Sequence, residues 1–146
     1  MNTINTTNNT NLEDHETGER IILRFDEGIY GFEDTKEYVL LQEDDAHTIW
    51  YLQAAHSEVP CLIVIDPYTI VDNYAPEISD ADLAYLGNPD DEDLCFLAVA
   101  VLKDDFKESV VNLKSPIVIN AKTKCAKQII LENSNYPIRY KLFGNN

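Results

Sequence analysis

The sequence predicts an all-β protein, a small antiparallel β-barrel-like domain with one short helix. Runs of strand-forming residues recur with turn-forming residues between them about every ten residues, a spacing typical of antiparallel sandwiches and barrels. One segment carries both a helix-start and a helix-stop signal. Strands and helices do not alternate along the chain, so we do not expect a parallel sheet.

The predicted strands begin at Arg20, where the sequence becomes rich in β-branched, aromatic and aliphatic residues. The run from Leu94 to Leu102 is apolar throughout and contains neither Gly nor Pro, which indicates a strand covered on both faces. The predicted strands are Arg20–Phe25, Glu37–Gln42, Thr48–Ala54, Cys61–Ile65, Leu94–Leu102, Val110–Val111, Ile117–Ile119, Gln128–Leu131 and Ile138–Phe143.

The single predicted helix follows Ser79. Ser79-Asp-Ala-Asp82 has the pattern of a capping box, in which the serine hydroxyl accepts a hydrogen bond from the backbone N–H three residues later. Leu83 and Leu86 lie three residues apart, on one face of a helix. Gly87 suits the position just after the helix, because a glycine there adopts a left-handed conformation without strain.

The 146 residues are enough for one domain with a hydrophobic core. The first eleven residues contain five Asn and four Thr, and residues 12–19 add four acidic side chains. Such a composition buries too little apolar surface to offset the entropy lost on ordering. We therefore predict a disordered, Asn/Thr-rich acidic tail over residues 1–18 and a single folded domain over residues 19–146.

Charge limits the classes of partner. The chain has 26 acidic residues against 11 Lys and Arg, a formal net charge of −15. Residues 1–102 have a balance of −19 and residues 103–146 a balance of +4. A negative surface repels nucleic-acid phosphates and anionic lipids, so neither is an expected partner, whereas a basic protein is. No signal-peptide or transmembrane pattern is present, so we expect a cytoplasmic protein.

We predict no cofactor, metal site or catalytic apparatus. The three cysteines form no CxxC motif, and Cys61 and Cys95 are predicted to be small buried hydrophobes rather than reactive thiols. The three histidines lack ligand spacing, and no glycine-rich phosphate loop occurs. The acidic run Asp90–Asp93 lacks the central glycine and distant glutamate of a calcium loop, so we interpret it as a solvated loop.

Polar side chains at the borders of apolar runs are predicted to be structural. Asn112, Asn120 and Gln128 lie where strands meet turns, where such side chains usually satisfy stray backbone groups. Gln53 is similarly placed at the end of Trp50–Gln53. Pro116 has no N–H to donate, so it marks a strand start or an edge.

A set of short motifs, in order from about Arg20 to about Tyr136, resembles the FliW family of flagellar assembly factors. The most specific element is the Asn-Leu-x-x-Pro-Ile-Val-Ile-Asn stretch over residues 112–120, followed by Gln128. Three positions depart from the usual family pattern: Tyr30 occupies a position that is commonly proline, Ala54 one that is commonly serine and Val110 one that is commonly threonine. The motif residues that we expect to be structural are Gly31, Gln53, Pro67, Asn112, Leu113, Pro116, Asn120 and Gln128.

The resemblance implies a β-barrel-like protein that is not an enzyme. It implies that the chain binds flagellin and antagonises the translational repressor CsrA, by a non-competitive route, so that translation of flagellin mRNA resumes. Two alternatives stay open. The chain could be an acidic RNA mimic that occupies a basic nucleic-acid-binding groove directly, or a small β-barrel enzyme with an unrecognised site.

The resemblance implies two partner-binding surfaces. It implies that FliW-type proteins bind a terminal, amphipathic helical segment of flagellin, which needs an apolar groove. Four aromatic residues in segments that read as connections are the candidates for that groove: Tyr30, Phe32, Tyr68 and Tyr74. The alternative is that Phe32 and Tyr74 close the ends of the core. Charge complementarity makes the acidic run the candidate contact for CsrA: Asp90, Asp91, Glu92 and Asp93.

Overall fold

A computed structural model of the chain describes residues 20–42 and 49–143. The predicted tail over residues 1–18 lies outside the described residues. The described residues form nine strands and one α-helix. The strands are β1 (Ile21–Arg24), β2 (Glu37–Gln42), β3 (Ile49–Ala54), β4 (Cys61–Ile65), β5 (Leu94–Val101), β6 (Val110–Val111), β7 (Ile117–Asn120), β8 (Ala126–Gln128) and β9 (Tyr140–Lys141), and the helix is α1 (Asp80–Tyr85).

Every ladder between these described strands is antiparallel. The sheet runs in the order β1-β2-β3-β4-β5-β6-β9, and β7 and β8 branch from β5. A single bridge joins Arg24 to Cys125, with the backbone N–H of Arg24 donating to the carbonyl of Lys124 at 2.9 Å. This bridge brings β1 beside the start of β8 without a continuous ladder. The predicted all-β, barrel-like class with one short helix is confirmed.

Strand β5 lies between two hydrophobic cores. Its first four residues pair with β7, while Ala98–Ala100 pair with β4 and Ala100–Val101 with β6. Successive side chains of a strand point to opposite faces. Cys95 and Leu97 therefore enter one core with Trp50, and Phe96 and Ala98 enter the other with Tyr74. The predicted strand covered on both faces is confirmed over Leu94–Ala98, whereas Val101 and Leu102 at the end of the predicted run are exposed.

No residue of helix α1 is fully buried, but Leu83 and Tyr85 are partly buried and pack against the core that contains Tyr74. The Ser79 hydroxyl accepts a hydrogen bond from the backbone N–H of Asp82 at 3.1 Å, as the capping pattern predicts. Leu86 is buried just after the helix, and Gly87 has a φ of +87°. The Lys127 ammonium donates to the Asp82 carboxylate at 2.8 Å, a bond that raises the pKa of Lys127.

Two predicted strands differ from the structure. Strand β8 begins at Ala126, two residues before the predicted Gln128–Leu131 strand, and shares only Gln128 with it. The Gln128–Leu131 strand is wrong beyond Gln128, because the partner of Ile129 is Pro116, which accepts a hydrogen bond from Ile129 but has no N–H to return. The Ile138–Phe143 strand contains regular pairing at Tyr140–Lys141 alone. Both segments still contribute apolar side chains to the core that contains Tyr74.

The cysteines differ from the expectation at one position. Cys95 is fully buried as predicted, but Cys61 is exposed, and Cys125 is buried instead. Cys61 is the first residue of β4, beyond the part of the strand that is buried. Burial raises the pKa of the Cys95 and Cys125 thiols, which disfavours the reactive thiolate.

We expect a maleimide at neutral pH to modify Cys61 in the native protein and to leave Cys95 unmodified. The exposed thiol is accessible, whereas the buried one is shielded and remains protonated. Peptide mass spectrometry after a timed quench measures the modification. In the matched control, Cys61→Ser should be nearly inert until guanidinium unfolds it. Modification of Cys95 at the rate of Cys61 would show that the core opens readily.

Candidate functional site

Among the described residues, no group of three or more His, Cys, Asp or Glu side chains is placed to hold a metal ion. No helix in that part of the chain is long and apolar enough to cross a membrane. His56 is exposed and contacts Glu37 at 2.7 Å, away from the cavities described below. The surface features that stand out are apolar cavities.

The conspicuous Asn and Gln side chains bond backbone groups. The Asn112 carboxamide oxygen accepts hydrogen bonds from the N–H groups of Lys114 and Ser115, at 3.1 and 3.0 Å, which fixes the turn before β7. The Asn120 amide donates to the carbonyl of Leu86 at 2.7 Å and so ties the end of α1 to β7. Buried polar side chains with such partners stabilise the backbone course that they bridge.

Gln128 connects two segments that are far apart in sequence. Its side-chain amide donates to the carbonyl of Ser115 at 3.1 Å, and its oxygen accepts from the backbone N–H of Tyr30 at 3.0 Å. Gln128 is buried. The Tyr30 loop is therefore positioned by β8 as well as by its own turn.

The other motif residues also lie at backbone junctions. The Gln53 side-chain amide donates to the carbonyls of Ser57 and Glu58, at 3.2 and 3.1 Å, across the β3–β4 connection. Pro67 is buried at the start of a 3₁₀ helix, Pro67–Thr69. Leu113 is almost fully buried, and Gly31 has a φ of +91° in the loop before Phe32.

The loop over residues 28–33 buries one apolar side chain and exposes two aromatic ones. Ile29 is buried in the core, whereas Tyr30 and Phe32 are 55% and 42% exposed. Gly28 must be glycine, because a Cβ there would lie 2.6 Å from the backbone of Glu33. The exposure of Phe32 argues against its closing the core, which Ile29 does instead.

Tyr30 and Phe32 line one side of a cavity of about 390 Å³, which we call the loop groove. Residues of β4, β5, β6 and β8, the turn before β7 and residues 138–139 form the rest of it. The one charged residue among its described lining residues is Arg139. The apolar lining residues are Ile29, Tyr30, Phe32, Leu62, Val99, Val101, Val110 and Ile138.

Tyr74 is a core residue. It is 2% exposed, and its hydroxyl donates to the carbonyl of Leu113 at 2.7 Å. Its ring centroid lies 5.4 Å from that of Tyr68 and 4.7 Å from that of Tyr136. The expectation that Tyr74 docks a partner directly is therefore wrong, because a side chain this buried offers almost no surface for contact.

Tyr68 lies in a second cavity, of about 570 Å³, which we call the aromatic cleft. Its ring packs edge-on against Phe96, with centroids 6.2 Å apart. The two acidic residues that line this cleft are Glu77 and Asp91. The other residues that line it are Tyr68, Asn73, Tyr74, Ala75, Pro76, Ile78, Leu83, Leu94 and Phe96.

The acidic run Asp90–Asp93 includes a short helical turn. Asp90, Asp91 and Glu92 are exposed, and Asp91–Asp93 form a 3₁₀ helix rather than an open loop. Asp93 is half-buried, and its carbonyl accepts a hydrogen bond from the N–H of Ala121 at 2.8 Å. Of the four acids, Asp91 is the one that lines the aromatic cleft.

The aromatic residues expected on one surface lie in two places. Tyr30 and Phe32 line the loop groove, Tyr68 and Tyr74 line the aromatic cleft, and no described residue lines both. The sequence interpretation missed Val101 and Ile138 in the groove and Glu77 in the cleft. The sequence did contain a signal for Val101, because it lies near the end of a long apolar run. A strand of eight residues extends beyond the core, so its last side chain is exposed.

These features define a class: a small antiparallel β protein with apolar cavities open at its surface, the type of surface that other proteins bind. The sequence model of the FliW protein family matches residues 4–142, and the chain belongs to the FliW family. The resemblance seen in the motifs is thus confirmed.

Individual members of the family are similar to this chain over most of its length. The chain is 36% identical over 131 residues to the flagellar assembly factor FliW of Natranaerobius thermophilus, which covers 89% of this chain and 87% of that protein. It is 35% identical over 130 residues to the one from Geobacillus kaustophilus, covering 89% and 90%. A crystal structure of the flagellar assembly factor FliW superposes with a TM-score of 0.78 at 31% identity, covering 92% of each chain.

We expect Tyr74→Phe to lower the free energy of unfolding by about 1–3 kcal/mol, because it leaves the Leu113 carbonyl without its donor in a buried place. Urea unfolding followed by fluorescence measures the change. Tyr30→Phe is the matched control, since Tyr30 is exposed, and it should stay within about 0.5 kcal/mol of the wild type. Equal stability of both variants would mean that the Leu113 carbonyl finds another partner.

Proposed function

We propose that this chain is a cytoplasmic flagellar assembly factor that binds flagellin and antagonises CsrA, relieving repression of flagellin mRNA translation. Family membership over nearly the whole described chain supports the role in flagellar assembly. The observation that carries the binding role is the loop groove, where a motif loop is held in place by Gln128 and presents exposed Tyr30 and Phe32. We propose no catalytic step.

The loop groove is the proposed flagellin site. An amphipathic helix docks by laying an apolar stripe into an apolar groove, with anchors one helical turn apart. The groove offers aromatic and aliphatic walls and a single described charge, Arg139. Burial of apolar surface is not screened by salt, so this contact should persist at high ionic strength.

We expect the double variant Tyr30→Ala, Phe32→Ala to bind flagellin at least about tenfold more weakly, because truncating central aromatic anchors commonly costs more than about 1 kcal/mol each. Isothermal titration calorimetry with unpolymerised flagellin, at low and high salt, measures it. Ile22→Ala is the matched control, because Ile22 is 44% exposed but lies outside the groove. Full-strength binding by a folded double variant would move the site elsewhere.

CsrA is proposed as the second partner because an RNA-binding protein is basic and this chain has a net charge of −15. The acidic run is the candidate contact, through Asp90, Asp91, Glu92 and Asp93. A carboxylate cluster docked beside an RNA site also repels phosphate within a Debye length, about 8 Å at physiological salt. Inhibition then needs no overlap with the RNA-binding surface.

Adding RNA to a preformed complex with CsrA distinguishes the two modes of inhibition. We expect the RNA-binding plateau to fall while the two proteins stay bound, as for a non-competitive inhibitor. Fluorescence anisotropy of labelled RNA, with the protein complex followed in parallel by size exclusion, measures both quantities. Displacement of this chain by excess RNA would favour the RNA mimic. The affinity of this chain for CsrA is also measured from low to high ionic strength. An affinity that does not change with salt would show that charge complementarity is not the main contribution to binding.

A further inference from the structure

The aromatic cleft continues into a second, more polar cavity. This polar cavity has a volume of about 440 Å³ and shares Ala75 and Glu77 with the cleft, so the segment around residues 75–79 lies between the two. The wall opposite this segment is formed by residues 129–134. The two cavities together make one surface that is separate from the loop groove.

The charged side chains that line this surface are acidic, and two ammonium groups lie at the edge of the polar cavity, Lys127 on Asp82 and Lys114 on the carbonyl of Ser134. Glu77 and Asp91 line the aromatic cleft, and Glu77, Asp82 and Glu132 line the polar cavity. No Lys, Arg or His is among the described residues lining either cavity. Asp82 is half-buried and bonds Lys127, and Glu77, Asp91 and Glu132 are exposed.

The cleft itself is apolar beneath this border. Tyr68 and Phe96 form an edge-on pair at its base, and Ile78 and Leu83 flank them. An occupant must therefore combine an apolar side chain with neighbouring positive charge. Phosphates of a lipid or nucleic acid would be repelled, and an acidic peptide would meet like charges at every border.

We propose that the aromatic cleft and the polar cavity together dock a basic amphipathic segment of a partner protein. One large apolar side chain of the segment enters the cleft against Tyr68 and Phe96. Its Lys or Arg side chains lie against Glu77, Asp91 and Glu132, where a partly desolvated charge pair gains more than one in open water. This docking site shares Asp91 with the acidic run proposed for CsrA, and it adds the apolar cleft and the polar cavity, which neither the flagellin nor the CsrA proposal uses.

Synthetic peptides test the site directly. The probes are a Lys/Leu peptide with leucines at helical spacing, a Lys/Ser peptide of equal charge and a Glu/Leu peptide of opposite charge. We expect the Lys/Leu peptide to bind, the Lys/Ser peptide to bind at least about tenfold more weakly, and the Glu/Leu peptide not to bind. Calorimetry with the full chain measures each affinity. Equal binding of the Lys/Leu and Lys/Ser peptides would overturn the role of the cleft.

Matched variants separate a defined site from diffuse attraction to an acidic protein. The triple variant E77Q/D91N/E132Q should weaken Lys/Leu binding at least about tenfold, while D34N/E58Q/D104N removes the same charge from exposed positions that line neither cavity and should change it less than about twofold. Ile78→Ser should weaken Lys/Leu binding and leave Lys/Ser binding unchanged. Thermal melts check that each variant is folded.

Two outcomes would overturn the proposal. Equal weakening by the two triple variants would mean that net charge alone attracts the peptide. A monomer–dimer equilibrium of the chain without peptide, abolished by E77Q/D91N/E132Q, would make the occupant a second copy. Neither outcome affects the flagellin experiment at the loop groove. The RNA and salt experiments with CsrA use the unsubstituted chain, so this proposal and the proposed function fail separately although Asp91 belongs to both candidate contacts.

Discussion

The structure depends on the simultaneous burial of both faces of β5. Its side chains alternate between two cores, and its backbone pairs with β4, β6 and β7. A strand with apolar side chains on both faces must be covered on each side. Burying each large apolar side chain stabilises the fold by about 1.5–3 kcal/mol. The barrel-like sheet supplies one cover. The segments around Tyr74, α1 and Ile129–Leu131 supply the other.

The second cover explains where the partner-binding candidates lie. It consists mostly of irregular segments, whose backbone groups need side-chain partners. Asn112, Asn120 and Gln128 supply several of these, and Tyr74 supplies another through Leu113. Loops held in this way can keep aromatic side chains exposed at fixed positions. The aromatic cleft opens at the border of this cover, whereas the loop groove is lined by Ile29, Leu62 and Val99, which belong to or pack against the core that contains Trp50.

Much of the fold followed from local patterns. The β2 and β4 boundaries matched because turn residues bound both segments, and α1 matched because Ser79 and Gly87 cap it. The strand from Gln128 was overextended because its apolar pattern continues past the point where Pro116 stops the partner's ladder. The exposure of Cys61 was missed, since the alternation of a strand does not reveal where the buried part of its sheet ends.

By itself, the sequence determined the all-β class, the single helix, the doubly covered β5, the acidic charge and the family, because each depends on residues close together or on ordered motifs. The tertiary structure alone decided which aromatic residues share a surface. Tyr30 and Tyr68 look equivalent in sequence, yet they line different cavities, and Tyr74 beside Tyr68 is buried. Those placements follow from long-range packing against β5 and β8, which no local pattern encodes.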